Sequence, residues 1–311
     1  MIALVAVAMA GVGLSLNEGL VVEDADSGAT LAAHLLFEQQ LTIDPITGQA
    51  SLALQRLRPD LHLGFGSIPV RARVQTELAG DVRLLDAYVD LGSKEAFVRI
   101  GRALVPTGRA QMTPIPKLQF QGFAASTTTV QAGRELGVQG HAQAGPVLAQ
   151  GGVFTMRSDG DAPWHAVART VFDIAGGVPY DETSALDGQA EPGVALGTSA
   201  QWSSVDEVGT LAGEIAAQVG RVRVQAEGFM TTNDRRGVYG QVTCALWPER
   251  VDIAARIDHL ASKTDVREGA ETMASVYFAG PHLRVQTGYR LDWGGMGEVA
   301  QRVILNGQLW L

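Results

Sequence analysis

Alternation of apolar and polar side chains constrains this chain more than any other feature. In residues 133–154, GRELGVQGHAQAGPVLAQGGVF, Leu136, Val138, Gly140 and Ala142 fall on one side of an extended strand, and Gly137, Gln139, His141 and Gln143 on the other. Gly145-Pro146 turns the chain and the alternation resumes, as in a hairpin. The same period places Val70, Ala72, Val74, Thr76 and Leu78 opposite Arg71, Arg73, Gln75 and Glu77. It returns in GRVRVQAEGFM, ERVDIAARIDHL and PHLRVQTGYRLDW. No stretch keeps a 3.6-residue period over three turns, so the chain reads as all-β.

Turn signals at Gly145-Pro146, Val219-Gly220-Arg221, Trp247-Pro248-Glu249 and Gly280-Pro281 join these runs tightly. Counted from near residue 29, the runs number about sixteen, an even set that predicts a closed antiparallel up-and-down β-barrel. Period alone does not say which face is wet. A soluble barrel turns its apolar row inward and a membrane barrel turns it outward.

Composition narrows the choice. With 46% hydrophobic and 18% charged residues, the chain is too apolar for disorder. It has no run of about 20 apolar residues, which a membrane-spanning helix needs. A helical membrane protein is therefore excluded, and a transmembrane barrel and a soluble β-protein both stay open. Trp164, Trp202, Trp247, Trp293, Tyr239, Tyr277 and Tyr289 mostly lie near turns, where an interfacial girdle belongs.

Residues 23–311 read as a single barrel domain. Residues 1–22 read as a truncated secretory signal, with a small-residue pattern at Ala8-Met9-Ala10, or as a first strand; the first basic residue is Arg56. A net charge of -9 without a basic cluster excludes nucleic acid as a partner. The acidic stretches VVEDADSG, YDETSALDGQAEPG and SSVDEVG read as solvated loops. Cys244 is the only cysteine and the six histidines are far apart, so neither a metal site nor a cofactor is expected. DADSG imitates the opening of a calcium loop, but Leu35 stands where the closing glutamate belongs. No catalytic motif is present, and Ser199 has no histidine near it in sequence, so no enzyme is expected.

If the apolar rows face lipid, the polar rows line a lumen wide enough for water. The expected lining is Arg71, Arg73, Glu77, Arg99, Gln139, His141, Arg223, Glu227, Arg256, Arg284 and Arg290. One connection breaks the pattern of short turns. Residues 105–133 carry Pro106, Pro114 and Pro116 with no clean alternation, and loops this long in a compact domain are usually functional. Arg102, Arg109, Lys117 and Arg134 lie in it or at its ends and are the candidates to narrow a pore.

Three pieces in order resemble the phosphate-selective porins of Gram-negative outer membranes. They are LLDAYVDLG at 84–92, GRALVPTG with Gly101, Pro106 and Gly108, and GRELGVQGH with Arg134, Gly137 and Gln139. Ala103, Leu104 and Thr107 depart from that family's pattern, and the chain ends with Trp310 one place before its last residue, Leu311. The resemblance implies a sixteen-stranded outer-membrane barrel, surrounded by lipid, that passes small ions or solutes without a cofactor and assembles as a homotrimer. The family's lysine cluster has no counterpart among Lys94, Lys117 and Lys263. The alternative function is a non-conducting barrel that anchors or docks an envelope complex.

Overall fold

The computed structural model describes residues 12–15, 19–23, 28–66, 68–130, 132–155, 163–183, 190–205, 207–294 and 299–311. The Ala8-Met9-Ala10 pattern and residues 24–27 of the acidic DADSG stretch lie outside them. No helix among the described residues is long and apolar enough to cross a membrane.

Sixteen strands close into one antiparallel barrel. Two short strands, β1 (Val12–Ser15) and β2 (Gly19–Glu23), precede it as a hairpin. The barrel proper begins with β3 (Ala29–Ile43), β4 (Ala50–Phe65), β5 (Val70–Glu77), β6 (Arg83–Gly92) and β7 (Ala96–Leu104). After the long loop come β8 (Arg134–Ala144), β9 (Val147–Thr155), β10 (Trp164–Ala175), β11 (Ala190–Ser203), β12 (Val208–Gly220) and β13 (Val222–Thr231). It ends with β14 (Arg236–Trp247), β15 (Val251–Ala261), β16 (Val266–Tyr277), β17 (Leu283–Gly294) and β18 (Val299–Trp310).

Each strand pairs with its sequence neighbours, and β18 returns to β3 with Trp310 opposite Leu36 and Val303 opposite Ile43. The seam is tied beyond the last ladder pair. Leu35 N–H donates to the Leu311 carbonyl and Leu311 N–H to the Leu35 carbonyl, both at 2.9 Å. On the same edge of β3, residues 30–33 pair with β2. With that seam each of β3 to β18 has a hydrogen-bonded neighbour on both sides, as a bilayer requires because nothing in hydrocarbon can satisfy free backbone groups.

The apolar rows face outward. Leu136 and Val138 are exposed whereas Gln139, next along the strand, is buried, and the exposed Ile253 and Ile257 likewise flank the buried Arg256. A strand that exposes its aliphatic side chains and buries its charged ones is folded for lipid outside. Trp164, Trp202 and Trp247 are exposed near strand ends, as an interfacial girdle requires. Tyr239 and Tyr277 are not in that girdle: both are buried on the inner face, where their hydroxyls find polar partners.

Alternating strand direction defines two rims. The long loop leaves β7 and enters β8 at one, here the loop rim. The chain ends at the other, the terminal rim.

Candidate functional site in the barrel lumen

The long loop folds back against the inner wall of β10 to β18. It carries two short helical segments, α1 (Arg109–Met112) and α2 (Ala125–Val130), with a 3-10 turn (Ile115–Lys117) between them. Its prolines prevent a strand, so its backbone groups find partners on the wall instead. Glu227 accepts the N–H of Ala110, and the Asp258 carboxylate receives the N–H groups of Ala125 and Ser126 at the start of α2. Arg256 donates to the Gly122 carbonyl at 2.8 Å while bound to Glu271 at 2.6 Å. Gln119, fully buried, donates to Asp252 (2.7 Å) and Ser275 (2.8 Å), and its carbonyl accepts from Gln286 (2.8 Å). Gln308 reaches the Pro116 carbonyl, Ser199 the Thr107 carbonyl and Gln201 the Val130 carbonyl.

The wall from β3 to β9 carries a different arrangement. Arg56 pairs with Glu38, Arg58 with Glu77 (2.5 Å), Arg73 with Asp60 (2.6 Å) and Asp86 (3.4 Å), Arg99 with Asp90 (2.7 Å), and Arg134 with Asp86 (2.8 Å). Arg71 donates to the Ser93 carbonyl and stands 4.0 Å from Asp90. The partners are not equally exposed. These arginine side chains keep 13–34% of their accessibility and the carboxylates only 2–11%, so the cations face the open lumen and the anions lie behind them. In these pairs six guanidiniums stand against five carboxylates, and a sixth carboxylate of the wall, Glu135 of β8, is buried against His165 of β10. Arg99 also lies 3.7 Å from the Tyr88 ring centroid, and Phe97 stacks on His141 at 4.5 Å.

Of the residues expected to line a pore, Arg71, Arg73, Arg99 and His141 lie on this open wall, partly exposed. Glu77 and Gln139 share the wall but are buried. Arg223, Glu227 and Arg256 are engaged by inserted backbone, and Arg284 is buried against Gln308, which reaches the Pro116 carbonyl. Arg290, bound to Asp292 and Glu271, stays half-buried. Of the loop candidates, Arg109 is buried, Lys117 is partly exposed, and Arg134 joins the arginine wall. Arg102 shares the outward row of Val98 and Ile100 and donates to the Leu84 carbonyl, which takes it out of the lumen.

Arg56, Arg58 and Asp60 join this wall from outside the expected lining. A bulge between Leu54 and Arg56 and a proline at position 59 interrupt the period of β4 there, although Leu57, Leu61 and Leu63 still mark an outward row. The acidic stretch near 180, expected to be solvated, is drawn inward: Asp181 and Glu182 are buried. At the loop rim a cavity of about 1140 Å³ opens among Lys263, Arg267, Arg290, Asp292, Trp293 and Arg302.

No family model and no curated protein sequence matches the chain. Solved structures do. The chain superposes on the trimer form of OmpT, an outer membrane protein of Vibrio cholerae, with a TM-score of 0.66 at 10% identity, covering 91% of this chain and 99% of that one. The anion-selective porin from Comamonas acidovorans gives 0.65 at 11% identity, covering 91% and 100%. The outer membrane channel DcaP of Acinetobacter baumannii gives 0.64 at 10% identity, covering 93% and 99%. At such identities the likeness is one of fold: this chain has the architecture of outer-membrane porins and channels.

Proposed function

We propose that the protein is an outer-membrane diffusion pore that favours small anions, with residues 105–133 as its constriction. One observation carries this reading: on the wall the long loop leaves open, guanidinium groups face the lumen while their carboxylates are buried behind them. An ion passing that wall meets the cation first, and the buried carboxylate acts at longer range. In a narrow aqueous path with low-dielectric walls, this ordering of fixed charge sorts solutes by sign. The anion-selective porin among the structural neighbours supports the same direction. The phosphate-selective resemblance at residues 84–92, 101–108 and 133–141 fits an anion path too, but a lone partly exposed Lys117 on the loop favours small anions in general over phosphate in particular.

Purified protein in a planar bilayer under a salt gradient tests this. A reversal potential on the anion side is expected, and a cation-side potential would refute the preference. Complete silence would favour the second reading, a non-conducting anchor, for which the extent of inserted chain in the lumen speaks. The trimer form among the neighbours supports a homotrimer, to be read as the mass of the detergent-solubilised particle.

A further inference from the structure

Connections at the terminal rim of such a barrel need only be tight turns, and residues 93–95, 145–146, 221, 248–250 and 278–282 are short connections there. The connection from β10 to β11 is longer, and its described part, 176–183, enters the lumen. Gly176 and Gly177 both take left-handed φ values, 63° and 66°, and a Cβ on Gly176 would sit 2.4 Å from the Pro192 carbonyl oxygen. Only glycine makes that inward reversal without strain. Val178 then packs on Val171, Ala195 and Ala216, and the Tyr180 hydroxyl accepts from Arg169 at 2.8 Å.

This segment meets the long loop head-on. Glu182 N–H donates to the Lys117 carbonyl (2.9 Å), and Gln119 N–H donates to the Glu182 carboxylate (3.0 Å). The buried Arg109 donates to the carbonyls of Val178 (2.6 Å) and Pro179, with its guanidinium over the Tyr180 ring at 4.6 Å. Behind the contact, Arg223 of β13 holds the carbonyls of Asp181 and Thr183. Segments from opposite rims thus satisfy each other's buried backbone groups, which would otherwise be left without partners at high cost.

We propose that residues 178–183 are a clamp, inserted from the terminal rim, that fixes the 109–119 half of the long loop and so sets the bore of the channel. The bore part rests on the pore reading above; the clamp part does not. Without the clamp the 109–119 half keeps only its wall bonds at Glu227, Gln308 and Asp252, whereas the 121–130 half is held by Asp258, Arg256 and Gln201 independently of the clamp, so loss of the clamp should loosen the first half and leave the second in place.

The test uses the full chain in two forms: 178–183 replaced by Gly-Ser of equal length, and the milder Glu182→Ala. In a Cys244→Ser background, Lys117→Cys is labelled with a charged, membrane-impermeant thiol reagent. Labelling roughly tenfold faster is expected when 178–183 is replaced, the factor corresponding to loss of about two ordinary hydrogen bonds, and a smaller rise of a few-fold in Glu182→Ala, which removes the acceptor of Gln119 but keeps the backbone bond to Lys117. A cysteine at Thr129 should be labelled at an unchanged rate. Unchanged labelling at position 117 in folded protein overturns the clamp, whether or not the barrel conducts. Bilayer recordings add the second arm. Open-channel noise should rise severalfold while the heat-modifiable transition of the barrel stays in place. A quiet trace beside faster labelling would leave the clamp standing and remove its role in the bore. A wild-type barrel that never conducts would remove the pore reading instead.

Discussion

Arg73 and Asp60 show how a single pair can serve both stability and selectivity. The guanidinium lies fork-on-fork against the carboxylate, with Nε at 2.9 Å and Nη2 at 2.6 Å, and Gln75 adds a further bond at 2.8 Å. Such bidentate geometry is the strong form of an ion pair. Arg73→Ala removes a lumen-facing cation and uncovers an anion, so the reversal potential should move toward cations; an unmoved potential would detach this wall from selectivity. Glu182 makes a prediction in pH. Burial pushes its carboxyl above the usual range, against the hydrogen bond from Gln119 and the attraction of Arg256. A carboxyl that binds its proton more tightly when folded contributes stability that is complete below the ordinary glutamate range and is lost as pH rises through its raised value. The melting temperature of the wild-type barrel should therefore fall from acid to neutral pH by more than that of Glu182→Gln. Parallel curves for the two proteins would show that this carboxyl does not titrate in the clamp.

At the scale of the element, the β8–β9 hairpin separates its two faces by glycine placement. A Cβ on Gly137 would approach the Val153 carbonyl oxygen to 2.4 Å and the Phe154 ring to 2.7 Å, because the buried Phe154 lies across that inner position. On the outward row, a Cβ on Gly140 meets nothing nearer than the Gly151 carbonyl oxygen at 4.0 Å. Gly137→Val should cost about 1–3 kcal/mol as an overpacked site and lower the temperature of the heat-modifiable shift. Gly140→Val should leave it in place. Equal effects from the two would mean that the hairpin does not hold its faces as described. The long loop is an element of another kind: Ala110 and Ala124 pack on Tyr239, Phe120 packs on Ala254 and Met273, and polar wall groups hold it at both ends. Deleting 110–128 should raise single-channel conductance, and an unchanged conductance would remove the loop from the constriction.

For the whole molecule, closure is the decisive event. Sixteen strands with outward aliphatic rows are stable in lipid only as a cylinder, because one unpaired edge would expose a row of backbone donors and acceptors to hydrocarbon. The seam between β18 and β3, with its reciprocal Leu35–Leu311 bonds, completes that cylinder. Removing residues 304–311 should abolish the heat-modifiable folded form on electrophoresis. A truncated chain that still shows the shift would mean that β2 or another strand can take the place of β18.

Local chemistry made much of this legible from sequence. The two-residue period of 133–154, 222–231 and 251–261 marked the strands, and Gly-Pro and Trp-Pro pairs marked the turns, because side-chain direction and turn geometry depend on residues a few places apart. The prolines of 105–133 marked the inserted loop for the same reason. What period cannot carry is the sign of a face, since alternation is symmetric under exchange of inside and outside; burial around Leu136, Gln139 and Val138 resolved it. Nor could it tell which of the inward arginines stay in water. Arg73 and Arg256 occupy equivalent inner rows, yet one faces open lumen and the other lies under Gly122 and Phe120. The difference is where a loop more than a hundred residues away in sequence comes to rest. The buried role of Asp181 and Glu182 was hidden likewise, in a stretch whose composition suits solvent and whose partners, Arg109, Lys117 and Gln119, are brought to it only by the closed barrel. Strands, turns and a loop that is not a turn follow from local chemistry; which charges meet water follows from the closed fold, because burial belongs to the assembled wall and not to the residue.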